Sequence, residues 1–188
     1  MVFALGITLA FVGIVLFSWA IFYFLSVYNG LIELKNNIDK AWSNIDVLLK
    51  QRYDLIPNLV ETIKGYKKYE KETLETITKY RTQLVSGNLS SRATADNMIT
   101  SALKSIFAVS ENYPKLQANE NFLHLQQELS RVENQIADRR EFYNNSVLLY
   151  NTKIHSIPDS IIAGGLSMQD KEYFKASFEE KKEVKVKI

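Results

Sequence analysis

Imidazole, guanidinium, phenol and carboxamide groups are the side chains here that could bind or catalyse, and their spacing decides how far that goes. His124 and His155 are the chain's two histidines. They fall at opposite ends of one helical stretch, with no HExxH pattern and no carboxylates at ligand spacing, so surface or interhelical packing is the better account of them than a metal site. The chain has no cysteine, which excludes disulfides, thiolate-held metal and a cysteine-linked lipid anchor. No phosphate-binding glycine loop is present, and no Ser/His/Asp arrangement can be placed. Neither a catalytic residue set nor a cofactor is expected.

The densest polar chemistry is Arg52-Tyr53-Asp54, ahead of Pro57, Asn58 and Glu61. Structurally these residues read as a corner between two helices. Pro57 disfavours helical geometry at Ile56, Asp54 would cap a new helix start, and Arg52 would pair with Asp54 or Glu61. The functional alternative is a recognition surface for a partner. Arg52→Ala would then impair binding without lowering Tm, whereas a large thermal loss would point to the corner.

Tyr143-Asn144 recurs as Tyr150-Asn151 seven residues later, which places both pairs on one side of a helix. The tyrosines are expected to line the core with their hydroxyls satisfied at its rim. The asparagines are expected to hydrogen-bond across to another helix, fixing register at a cost in stability. On that reading Asn144→Leu would raise Tm and permit mispacking. Arg139 and Arg140 precede the first pair and would reach Glu61 or Asp138. If a ligand site exists between the helices, Arg140, Tyr143, Asn144 and Glu61 are the first candidates.

The elements that position these groups begin with an anchor. The first charged side chain is Glu33, and residues 2–25, VFALGITLAFVGIVLFSWAIFYFL, are almost wholly apolar. At about 1.5 Å per residue they cross a hydrocarbon core of roughly 30 Å as one helix. A cleaved signal peptide is the competing reading, through Ser18-Trp19-Ala20. It lacks a basic start, and the apolar run continues past the cut. Trp19, Tyr23 and Tyr28 suit an interfacial aromatic belt. Lys35, Lys40, Lys50 and Arg52 all follow the span, which favours a cytoplasmic body. A net charge of +2 without a basic stripe does not point to nucleic acid. Within the span, Gly6 and Ala10 form a small-xxx-small pair that would permit close helix approach.

Beyond the span the chain reads as helix, punctuated by Pro57, Pro114 and Pro158. The first rod places Leu31, Leu34, Ile38, Ala41, Ile45 and Leu48 on one face, widened by Trp42 and Leu49. A second runs from Asp54 to Leu84, with Gly65 inside it, and stops at Ser86-Gly87-Asn88. Its Lys67, Lys68, Glu70, Lys71, Glu72, Glu75 and Lys79 mix signs as a solvated face does. A third spans roughly Thr94 to Tyr113, with Met98, Ala102, Ile106 and Val109 inward. The fourth repeats Phe122, Leu129, Ile136, Tyr143, Tyr150 and Ile157 every seven residues. The expected fold is all-α: an N-terminal transmembrane helix, then an up-down-up-down four-helix bundle of long antiparallel helices, with an extended coiled coil as the alternative. Its divisions are 1–30 for the anchor and membrane exit, 31–157 for the bundle, and 158–188 for a tail. In that tail Lys171 to Lys182 would form a turn or two of helix, and the closing EVKVKI would lie extended.

The run AWSNIDVLLKQRYDLIPNLVETIKGY from Ala41 to Tyr66 resembles the signature of the LemA family of bacterial membrane proteins. REFYNNSVLLYNTKI from Arg140 to Ile154, the following Pro158 and Ile162-Ala163-Gly164, and YPKLQAN from Tyr113 to Asn119 agree with it. The resemblance implies an N-terminal membrane helix and a cytoplasmic four-helix bundle. It transfers no active site. Function is therefore expected to be that of a non-enzymatic scaffold or adaptor, held to the bilayer through residues 2–25 and organising a protein partner or a homo-oligomer, without nucleic acid. The alternatives are a ligand-binding sensor or enzyme with a polar site between helices, and amphipathic rods that lie on lipid.

Overall fold

The computed structural model describes residues 2–65 and 71–175. Their regular elements are helical: α1 Val2–Lys64, α2 Lys71–Arg81, a 3-10 turn Thr82–Leu84, α3 Leu89–Ser110, α4 Pro114–Gln117, α5 Glu120–His155 and α6 Asp159–Gly165. The fold is all-α. Two compact units divide the chain, Met1–Lys40 with Asn145–Lys171, and Ala41–Asn144 with Glu172–Ile188.

The first unit contains the apolar start of α1. Phe3, Leu9, Phe11, Ile14, Phe17, Trp19 and Phe22 are all strongly exposed, on a helix long and apolar enough to cross a membrane. Further along, Val27, Leu31 and Ile38 of α1, Val147, Tyr150 and Ile154 of α5, and Ala163 of α6 are buried. The heptad stripe of α5 stops short of Ile157, which is 85% exposed. Helical geometry is disfavoured for a residue before proline, and α5 ends at His155 ahead of a cis Ile157-Pro158 bond.

In the second unit the apolar periodicities close a core from Ile45, Leu49, Ile56, Leu59 and Ile63 of α1, Ile77 of α2, Ile99, Leu103 and Ile106 of α3, and Phe122, Leu129, Val132 and Ile136 of α5. α3 packs on α2, the 3-10 turn and α4, and side-chain bonds from Arg52 join α1 to α3 and α5. These packings are those of a helical bundle. Asn88 caps α3 by accepting from Ser91 N at 2.9 Å, and Asn119 accepts from Phe122 N at 3.1 Å where α5 starts. Gly87, at φ 104°, makes the turn into α3 in a conformation that side chains rarely tolerate.

Five expectations are corrected by the structure. Pro57 does not break the helix, because α1 runs through it to Lys64. Asp54 is accordingly no cap; it pairs with Lys50 one turn back at 2.8 Å on the surface. Gly65 lies beyond the end of α1 and not inside a rod. The inward face of α3 runs through Ala95, Ile99, Ala102, Leu103 and Ile106, which leaves Met98 exposed; Arg92 and Asp96 share that face and disguise its phase in the sequence. Residues 171–175 are not helical. Tyr66 to Glu70 and the closing EVKVKI lie outside the described residues.

Candidate functional site

Among the described residues, Arg52 is the largest side chain wholly removed from solvent. The inward phase of α1 that buries Ile45, Leu49, Ile56 and Leu59 also points this guanidinium into the second unit. There Nη2 donates to Asp96 of α3, and Nη1 donates to Glu133 of α5 and to Thr100 Oγ1 at 3.1 Å. Thr100 Oγ1 in turn donates to Glu133 Oε2 at 2.6 Å. Arg140 approaches the other Asp96 oxygen at 3.4 Å. Two guanidiniums thus face two carboxylates, which is how such charges survive burial.

Burial works against the Arg52 charge, but Asp96 and then Glu133 outweigh it and hold its pKa above the ordinary value. Burial likewise pushes the Asp96 carboxyl up, while Arg52 and Arg140 pull it down. Arg52 Nε is buried without a hydrogen-bond partner, a cost of about 1–3 kcal/mol borne for the other bonds. Over the cluster lies a cleft of about 280 Å³, lined by Asp96, Thr100 and Lys104 from α3 and by Glu133, Asn134 and Arg140 from α5.

Beside the cluster, the same unit holds a stretch of its own C-terminal chain by the main chain. Asn144 is a two-way clamp: Nδ2 donates to Phe174 O at 3.0 Å and Oδ1 accepts from Phe174 N at 2.8 Å. Tyr143 Oη donates to Glu172 O at 3.0 Å, and Asn97 Nδ2 and Arg140 Nη2 each donate to Lys175 O at 3.4 Å. The Phe174 ring is buried, 6.1 Å from the Trp42 ring, with the Arg140 guanidinium 4.9 Å from its centroid. Trp42 in turn packs edge-on to Tyr143 at 5.9 Å and under Arg92 at 4.7 Å. Arg92 is fixed by Asp46 and by Leu84 O, the latter at 2.8 Å.

The LemA family model matches residues 41–188. The chain belongs to the LemA family. It is 31% identical over 163 residues to Protein LemA of Metamycoplasma hominis, covering 84% of this chain and 74% of that one. It is 25% identical over 174 residues to Magnetosome protein MamQ 2 of Paramagnetospirillum magneticum, and to Magnetosome protein MamQ of Magnetospirillum gryphiswaldense, with 78% of this chain aligned. The match spans 64% of the length of these MamQ proteins.

In this LemA-family chain the singled-out residues fall into separate places. Arg140, Tyr143 and Asn144 come together on α5, around Phe174. Arg52 joins the buried cluster and pairs with neither Asp54 nor Glu61. Tyr53 is half-buried and stacks under Arg81, whose guanidinium is 3.8 Å from the ring centroid. Pro57 lies within α1. Asn58 and Glu61 line a different recess of about 390 Å³ with Asn121 and His124, so Glu61 is no part of the Arg140 group. In the first unit Asn151 repeats the clamp, donating to Lys171 O at 3.0 Å and accepting from Lys171 N at 2.9 Å. Tyr150 is buried there, which pushes its phenol up, and His155 pairs with Asp170 at 2.8 Å. Both asparagines therefore hold extended chain, where a neighbouring helix was expected.

Sequence reasoning missed Asp96, Thr100, Glu133, Arg92 and Phe174. Arg92 and Asp96 had a signal, since both fall in phase with Ile99, Leu103 and Ile106, so polar groups share an otherwise apolar stripe. Phe174 had none.

Proposed function

We propose that this LemA-family chain is a non-enzymatic scaffold or adaptor, tethered to a membrane by the first residues of α1 and organising a protein partner or further copies of itself at the bilayer. The observation that carries this reading is the contrast along α1. Its start exposes Phe3, Ile7, Leu9, Phe11, Phe17, Phe22 and Leu25, and its later part is locked by Arg52 into a cluster whose charges bind one another. Exposed apolar helix supports residence in lipid. A self-paired cluster supports rigidity, because each guanidinium is engaged by carboxylates of its own unit. Lys35, Lys40 and Lys50 beyond the apolar stretch support a cytoplasmic body.

Crosslinking in intact cells, detergent extraction and mass spectrometry test the proposal. It expects either a specific second protein or a defined multiple of this chain, and an isolated monomer would overturn it. Since the chain has no cysteine, single introduced cysteines after residue 30 report sidedness cleanly: protection from impermeant reagents in intact cells is expected, and labelling there would reverse the orientation.

A second reading rests on the cleft over the cluster. With Lys104 and Arg140 against Asp96 and Glu133 on its walls, it suits a small ligand carrying both signs of charge. Saturable thermal stabilisation by such a compound, lost in Lys104→Ala, would favour a sensor over a scaffold.

A further inference from the structure

The cradle that holds residues 172–175 reads them almost entirely through their backbone. Asn97, Arg140, Tyr143 and Asn144 address main-chain atoms of Glu172, Phe174 and Lys175, and one ring, Phe174, fills the aromatic seat at Trp42. A carboxamide that both donates to and accepts from one residue imitates the edge of a neighbouring strand. Main-chain bonds for affinity and a side-chain pocket for selectivity are the usual terms of extended-peptide recognition.

The walls of this seat are fixed without help from the occupant. Arg140 is drawn to Asp96, Trp42 lies under Arg92, and Arg92 is held by Asp46 and Leu84 O. The chain leading to the occupant, Leu166 to Lys171, is outside regular structure and reaches up to about 20 Å when extended.

We propose that this cradle is an exchange site, in which the 172–175 segment of a second copy of the chain replaces the chain's own. The proposal rests on the scaffold reading and names the contact by which one copy holds the next. The second copy is the occupant because its segment carries the one sequence seated here, so the cradle's bonds to residues 172–175 form in trans once Lys171 is released from Asn151. Exchange of an identical element is a low-cost route to self-assembly. Tethering copies to one membrane raises their mutual concentration and favours it further.

The test mixes two full-length forms in proteoliposomes, distinguishable by mass. The donor carries a photo-reactive benzoylphenylalanine in place of Tyr173, an exposed side chain beside the anchor ring. The acceptor carries Phe174→Ala, which leaves its cradle intact and its own segment without an anchor. Donor-to-acceptor crosslinks mapping near Trp42 and Asn144 are expected, falling at least fivefold when the acceptor also carries Asn144→Ala.

The melting temperature of the Phe174→Ala form, with and without the peptide DKEYFK, shows whether its cradle is folded. The peptide should raise that temperature by several degrees, and DKEYAK should not. Stabilisation by the peptide with crosslinks only within the donor would overturn exchange between copies while leaving the scaffold reading in place. No stabilisation by the peptide would overturn the cradle itself as a recognition site. A chain that crosslinks to nothing in cells would remove the scaffold reading as well.

Discussion

Arg81 Nε donates to the carbonyl oxygen of Tyr53 at 2.9 Å, the acceptor that Pro57, four residues further along α1, has no N–H to reach. Proline inside a helix forfeits one backbone bond and costs about 3 kcal/mol. Here a guanidinium from α2 replaces the lost donor and stacks on the Tyr53 ring as well. The corner expected at Pro57 is instead unbroken helix.

Arg81→Met should therefore destabilise the chain by about 1–3 kcal/mol, the range for a charged hydrogen bond lost to a buried acceptor. In a Pro57→Ala background the restored amide takes that carbonyl, and the same change should cost less than half as much. A double-mutant cycle by chemical denaturation measures the coupling; additive losses would show that the two residues are independent.

Arg52→Met should cost about 3–5 kcal/mol, because it leaves Asp96 buried with Arg140 alone. The loss should depend on pH with a definite sign. In this variant the folded Asp96 titrates higher still, so the folded state binds a proton that the unfolded chain, at about 3.9, has released. Stability then falls as pH rises from there through the raised value. The difference from wild type should be smaller at acid pH than at neutrality, and melting curves across that window decide it. Arg52→Lys, which cannot fork between Asp96 and Glu133, should recover little.

Asn144→Leu should lower Tm, reversing the expectation drawn from its heptad position. The leucine leaves both the N–H and the C=O of Phe174 without their partner, at about 1–3 kcal/mol for each group. Asn144→Gln, displaced by one methylene, should recover only part. Hydrogen exchange at the Phe174 amide reads the clamp directly.

Ile14→Arg with Phe17→Arg should release the chain from membranes if α1 spans them. Each arginine costs about 2.5–3.5 kcal/mol near the bilayer centre, while each Leu, Ile, Phe or Val returns only about 0.3–0.6. Retention of the double variant after alkaline extraction would mean that the body binds lipid or a membrane protein independently.

How much of this was legible depended on periodicity. Ile45, Leu49, Phe122, Leu129 and Ile136 announce themselves by steps of three, four and seven, and they are buried as those steps require. Pro57 misled because a local rule was applied where a distant Arg81 overrides it. Asn144 was noticed, but its partner is a residue thirty positions away in the sequence, in a stretch with no period to recommend it. Asp96 and Glu133 belong to Arg52 only through tertiary closure, which no local pattern encodes.

The Arg52 cluster also sets an order of events during synthesis. Its partners lie 44 and 81 residues downstream, and at about 5–20 residues per second the second of them emerges some 4–16 s after Arg52. Through that interval the guanidinium stays hydrated and the helices cannot close around it. The apolar start of α1 leaves the ribosome before either carboxylate exists, so on the proposed membrane tether that start meets lipid first and the body locks afterwards.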